Sequence, residues 1–282
     1  MAAYMSDDMT DDPLLIRARG LWETLAGAPV SFASSGGPGG LGGPGGLGGL
    51  GGPPGPDGPV VPAVVVSPAS ALCPPSWAGI VALGDAAIAT APTESAALVL
   101  RRAPASVPVG SLTRPETVRS VLPVSDVLGP ASLAYLSGAD FRPAPAHPHG
   151  AVEHLASGHR DFRRLLRSAE PADVAESGME EITSPAFVVR EGTEVVASAG
   201  YRAWPAETAH VCVLTHPRWR GRRLARHAAS AAVAHALAAG LLPQWRARPP
   251  ASRRVAQALG FRELGSQLSV RLEVDEPGGA HG

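Results

Sequence analysis

Apolar residues recur at helical spacing over Pro13–Leu25 (PLLIRARGLWETL), where Leu14, Leu15, Leu21, Trp22 and Leu25 make one face. Farther on the period shortens. VVPAVVVS (60–67) and WAGIVALGDAAIATAP (77–92) alternate or run apolar between glycine and proline breaks, as strands do, and 96–101 reads as another short strand. Residues 113–122 and 124–136 have helical spacing, the first opening TRPE with an early proline and acid. Helices are expected at 160–167 and Pro171–Ser177. Strands are expected at 186–190 (AFVVR) and Glu194–Trp204 (EVVASAGYRAW), joined by a tight turn at Glu191 and Gly192. A strand at 210–215 (HVCVLT) leads through an arginine-rich loop into a helix from about 223 to 239, ended by Gly240. Residues 241–247 make a strand, and Ser252 N-caps a helix with Val255, Ala258 and Leu259 apolar and Gly260 as its stop. A strand at 268–272 closes the chain. The alternation of strands and helices predicts an α+β (mixed α/β) fold.

The pattern lapses in two places. SSGGPGGLGGPGGLGGLGGPPGPDGP (34–59) is low in complexity, lacks the strict Gly-X-Y period of collagen, and holds too few apolar groups to offset the entropy of ordering. It is expected to be a loop or linker. FRPAPAHPHG (141–150) is the second break. The expected division is a tail and helix at 1–33, the Gly/Pro-rich segment at 34–59, an N-terminal α/β region at 60–145, a C-terminal domain at 150–275 and a tail at 276–282.

Composition narrows the function classes. The 282 residues are 45% hydrophobic with a formal net charge of −1, so bulk electrostatics do not suit a nucleic-acid coat. Every basic residue is arginine, a bias that weakens any argument from arginine over lysine at one position. The two cysteines, Cys73 and Cys212, have no CxxC spacing and sit among apolar residues, as buried thiols of a reducing compartment do. With no apolar stretch near membrane length and an acidic start (MAAYMSDDMTDD), the expectation is a cytoplasmic protein. His147 and His149, like His227 and His235, lack the spacing and carboxylates of a metal site, and no metal is expected.

The chemistry concentrates in HPRWRGRRLARHAA (216–229). A strand enters this segment and a helix leaves it. The first turn of a helix has amides without intrahelical partners and the positive end of the macrodipole, so an anion finds hydrogen bonds already in place. Gly221 permits a tight turn and close approach, and Arg220, Arg222 and Arg223 add charge-assisted donors. The alanine-rich helix behind can lie close on a sheet.

The stretch HVCVLTHPRWRGRRLARHAASAAVAHALAAGLLPQWRARPPASRRVAQALGF resembles the cofactor-binding half of a GNAT-superfamily (general N-acetyltransferase) acyltransferase. The family's (Q/R)xxGx(G/A) loop corresponds to Arg220, Gly221, Arg222, Arg223, Leu224 and Ala225. Thr215 and Pro217 match its framing, and Leu259, Gly260 and Phe261 match its LGF ending. The PQW beginning at Pro243, with Ser252, is similar to one branch in which a tryptophan strand precedes a helix with a like-placed serine. The resemblance covers roughly residues 150–275. It implies a central mixed sheet and acetyl-CoA as donor, with CoA as product. It also implies direct acyl transfer to an amine of a small molecule or protein. Backbone groups of Val213, Leu214 and Thr215 would pair with pantetheine amides. For residues 60–145 the strand content suits a degenerate second GNAT-like lobe that shapes the acceptor site.

Three positions depart from the family. Arg223 stands where a central glycine is usual, and Pro249 and Ala256 occupy the places of an asparagine and a tyrosine, the latter often the acid for the leaving thiolate. Candidate catalytic groups reduce to Glu181 beside Glu180, and His210, which shares a strand face with Cys212. Tyr201 reads as a packing aromatic. A non-catalytic acyl-CoA-binding regulatory module is the alternative. The expected partners are an amine acceptor and a second copy in a homodimer, with neither nucleic acid nor membrane.

Overall fold

A computed structural model describes residues 12–32, 62–102, 107–145 and 151–273. The expected linker at 34–59, the tail at 276–282 and His147 and His149 lie outside the described residues. In chain order the elements begin with helix α1 (Pro13–Leu25) and strands β1 (Ala63–Val66), β2 (Ala78–Leu83) and β3 (Ala86–Ala91). Helices α2 (Glu94–Arg101) and α3 (Pro115–Val121) precede the long strand β4 (Val124–Tyr135). Then come β5 (Glu153–Leu155), α4 (Arg160–Ser168), α5 (Pro171–Ser177), β6 (Ala186–Glu191), β7 (Glu194–Trp204) and β8 (Thr208–Thr215). Helix α6 (Leu224–Ala238), β9 (Leu242–Ala247), α7 (Pro250–Ala258) and β10 (Arg262–Leu272) complete the chain. The fold is mixed α+β, as expected.

These elements form two compact units, one of Met1–Leu21 with Ala131–Leu264, the other of Trp22–Pro130 with Gly265–Gly282. In the first unit β5, β6, β7 and β8 pair antiparallel in sequence, β8 pairs β9 in parallel, and β9 pairs β4 antiparallel, with Tyr135 opposite Gln244. Leu224, Ala228, Ala229, Ala232 and Val233 of α6 pack with Val196, Val211 and Trp245. The alanines let the helix lie close to the strands, because a methyl is all that separates the two backbones. On the other side Phe162 and Leu165 of α4 and Val174 of α5 pack with Val188, Val195, Cys212 and Leu214. Alternation along β8 therefore sorts its side chains, Val211 and Val213 toward α6 and Cys212 and Leu214 toward α4 and α5.

In the second unit β1 pairs β3 in parallel, β3 returns antiparallel to β2, and β2 pairs β10 antiparallel. Ala96, Ala97 and Leu100 of α2 and Val118 of α3 pack with Ile80, Ala89 and Leu268. Among the described residues this unit has no arginine/glycine loop opening a long helix.

Four sequence expectations are corrected. Residues 96–101 are helical rather than a strand, because Thr93 caps the helix by accepting from Ala96 N (3.2 Å) and Glu94 sits in its first turn. Residues 124–136 form a strand rather than a helix. Gly129 and Pro130 break helical spacing at its middle, and the buried run that follows them is continuous rather than striped. Ser252 is not an N-cap. The helix begins earlier, with Pro249 as cap and Pro250 at its first position, where a missing N–H costs nothing. The last strand starts at Arg262, well before residue 268, its polar first half hiding it from the hydrophobic pattern.

Candidate functional site

The site grows from a ladder that stops early. His216 N donates to Val196 O (2.9 Å), which sets the phase of the β7–β8 pairing. Peptide groups alternate in direction along an antiparallel strand, so Cys212 and Leu214 turn theirs to β7 while Val213 and Thr215 turn theirs the other way. There β9 is the neighbour, and its register with β8 ends at His210 opposite Gln244. Val213 and Thr215 thus present N–H and C=O groups along an edge with no ladder partner among the described residues.

The edge leads directly into the arginine loop. Pro217–Trp219 forms a 3-10 turn capped by His216, whose Nδ1 accepts from Arg218 N (3.2 Å). Gly221 (φ 81°) and Arg223 (φ 63°) both take left-handed backbone, and Arg223 is the N-cap of α6. Arg223 therefore adopts the conformation that a glycine would supply without strain. No acidic residue occupies the first turn of α6, so nothing there competes with an incoming anion. A Cβ built on Gly221 meets no atom within 4 Å, so its surroundings are open.

The arginines divide their duties. Arg220 Nη2 bonds Asp173 Oδ2 on α5 (2.6 Å), Arg222 lies over the Trp219 ring (4.5 Å), and Arg226 Nη2 reaches Ala258 O (3.1 Å). The guanidinium groups of Arg218 and Arg223 have no partner among the described residues. Glu176, also on α5, pairs Arg248 beyond the end of β9. One short helix is thus tied to the loop after β8 and to the segment after β9.

The catalytic candidates lie on the side of β8 away from α6. Glu181 is exposed and ion-paired with Arg202. His210 is half-buried. Its ring stacks on Trp204 (centroids 4.2 Å apart, planes at 11°), and its Nδ1 donates to Gln244 Oε1 (2.5 Å). Desolvation, followed by the charge of Arg246, pushes its pKa down to about 3, against the opposing effect of the Gln244 bond. The imidazole is therefore neutral at physiological pH. Gln244 is fully buried, and its Nε2 lacks a partner among the described residues.

Other candidates settle into packing roles. Desolvation lifts the buried Cys212 thiol to about 12, so it is not a thiolate nucleophile. Tyr201 is buried, with its hydroxyl 2.9 Å from His235 Nδ1 on α6. Ser252 Oγ accepts from Trp245 Nε1 (3.0 Å), and Ala256 lies on the buried face of α7. Among the described residues no cluster of three His, Cys, Asp or Glu is arranged to hold a metal ion, and no helix is long and apolar enough to cross a membrane. Sequence reasoning did not single out Trp204, Gln244, Asp173 or Glu176. Each acquires its meaning from a partner more than five residues away, a pairing that periodicity does not encode.

Residues 184–266 match the family model described as GNAT acetyltransferase. The C-terminal region is of the GNAT superfamily. The matched span runs from just before β6 into β10, so the open edge of β8, the arginine loop and His210 all lie inside this GNAT region. No curated protein matches the chain in sequence.

Among solved structures, a putative GNAT-family acetyltransferase from Novosphingobium aromaticivorans DSM 12444 is similar at 22% identity and TM-score 0.41, over 52% of this chain and 65% of that one. A GCN5-related N-acetyltransferase from Kribbella flavida is similar at 16% identity and TM-score 0.42, over 59% of this chain and 64% of that one. A GNAT-family acetyltransferase from Colwellia psychrerythraea is similar at 11% identity and TM-score 0.40, over 53% of this chain and 58% of that one. The chain spans under two thirds of each neighbour. The family match does not reach the N-terminal region, and the idea of a second lobe gains nothing from it.

Proposed function

We propose that the protein is an acyl-CoA-dependent N-acyltransferase, with acetyl-CoA as donor and an amine of a small molecule or protein as acceptor. The observation that carries the reading is the continuity of two features, the unpaired edge at Val213 and Thr215 and the arginine loop that opens α6. The amides of pantetheine would extend the ladder along that edge beside Leu214, as an added strand does. The pyrophosphate would meet the amides of Gly221, Arg222, Arg223, Leu224 and Ala225, with Arg220, Arg222 and Arg223 as side-chain donors. Ser252, the remaining expected cofactor contact, accepts a hydrogen bond from Trp245 Nε1.

A bound acyl-CoA supplies the activated thioester. The amine nitrogen attacks its carbonyl carbon, a C–N bond forms, the C–S bond breaks, the amine gives up a proton and the thiolate takes one. The chain contributes by fixing the geometry and excluding alternatives, which converts a bimolecular encounter into an oriented one. Titration calorimetry with acetyl-CoA, followed by thiol release across an amine panel, tests the reading. Absence of binding at high micromolar acetyl-CoA overturns it.

The second reading, a non-catalytic acyl-CoA-binding module, is favoured by one observation. The place of the usual acid is Ala256, buried with no polar side chain to donate a proton. Tight binding with no thiol release for any amine would establish that reading over the first.

A further inference from the structure

His210 sits where β8 and β9 part. Its ladder position opposite Gln244 is the last paired one, and the open edge begins beyond it. A donor held along Val213 and Thr215, with its phosphates at the loop, directs its reactive end toward this apex. The side chain of His210 leaves β8 on the face away from α6, where Arg202, Trp204 and Arg246 keep partial or full solvent exposure. That face is open to an acceptor, whereas the α6 face at Ala209 and Val211 is packed.

Two neighbours hold the imidazole still. Trp204 stacks on its ring, and buried Gln244 presents Oε1 to Nδ1. A carboxamide oxygen only accepts, so Nδ1 carries the ring proton and Nε2 keeps its lone pair. Nε2 makes no hydrogen bond among the described residues and is not sealed from solvent.

We propose that His210 receives the acceptor amine: its Nε2 lone pair takes a hydrogen bond from the amine N–H and aligns the nitrogen on the thioester carbonyl, while Gln244 is the positioning residue that fixes this tautomer. The proposal rests on the acyltransferase reading and names the acceptor-side contact of the same site.

The test has three readouts on the full-length chain. Nitrogen-15 NMR of histidine-labelled protein should show His210 as the Nδ1–H tautomer, and Gln244→Met should release that preference. Kinetics with acetyl-CoA should use whichever of spermidine, alanine, trialanine or phenylethylamine the wild type turns over fastest. His210→Phe keeps a ring on Trp204 and should lower kcat/KM for that amine by about a hundredfold, and Gln244→Met should raise its KM about tenfold. The Kd for acetyl-CoA should stay within about twofold in both variants, since neither side chain touches the donor edge. An Nε2–H tautomer in the wild type, or an undiminished kcat/KM in His210→Phe, overturns the proposal alone. Loss of acetyl-CoA binding in both variants overturns it as well, in favour of a merely structural role. A wild type that neither binds nor turns over acetyl-CoA fails the underlying reading instead, a result visible before any variant is made.

Discussion

Replacing Arg223 by glycine separates what its backbone does from what its side chain does. The backbone sits at φ 63° as the N-cap of α6, a conformation that costs a non-glycine residue about 1 kcal/mol or somewhat more. Glycine releases that strain but has more freedom to lose on folding, which returns roughly half of the gain. The net effect is a stabilisation of about 0.5 kcal/mol, a rise of roughly 1–2 °C in Tm for a protein of this size. The exposed guanidinium has no protein partner among the described residues, so its removal breaks nothing internal. Binding moves the opposite way. A charge-assisted hydrogen bond to a phosphate contributes about 1.5–3 kcal/mol, so acetyl-CoA should bind roughly 10- to 150-fold more weakly. Differential scanning fluorimetry and calorimetry on the same preparation read both quantities. A variant that binds acetyl-CoA as tightly as the parent, or more tightly, refutes the assignment of Arg223 to the phosphates. A Tm lowered by several degrees refutes the strain argument.

Other outcomes follow from named geometry. Gly260→Ala places a Cβ against the Asp140 carbonyl at φ 95° and should cost more than about 3 kcal/mol by urea denaturation. Gly221→Ala (φ 81°, open surroundings) should cost only about 1 kcal/mol; equal costs would contradict the clash. Because the folded pKa of His210 lies below its unfolded value, the unfolded chain binds one more proton between about pH 6.5 and 3. This residue's contribution is present above that window and is lost as pH falls through it, with a slope of at most about 1.4 kcal/mol per pH unit. His210→Phe should flatten stability against pH there, and parallel curves for the two proteins would deny the burial effect. Asp173→Asn frees Arg220 and should tighten acetyl-CoA binding up to about fivefold, the worth of a half-exposed ion pair, with the gain fading at high salt; unchanged affinity would show that Arg220 does not reach the phosphates.

Much of the C-terminal half was legible from residue order. The helix Pro171–Ser177 and the strand Glu194–Trp204 lie where spacing placed them, because each carries its own start and stop signals. The loop at Gly221 was readable for the same reason, with a strand before it and an alanine-rich helix after it. Strand β4 was not, since its apolar spacing fits a helix until the break at Gly129 and Pro130 is given weight. The acceptor-side cluster was least accessible. His210 and Gln244 meet only because β8 and β9 pair in parallel across an intervening helix, and Trp204 reaches the ring diagonally from β7. Long-range register of this kind leaves no local mark on the sequence.

The unpaired stretch of β8 also bears on how the protein behaves in solution. Exposed strand edges invite pairing with other chains and are a common start of aggregation. This one is short and lies within a sheet, flanked by β9, which stays joined to it at His210. A second polypeptide entering there would need room for side chains above and below, on faces already packed by Val213 and by Leu214. A slender chain of amides with few side groups needs less room. The opening therefore suits a guest with few side groups better than it suits another strand.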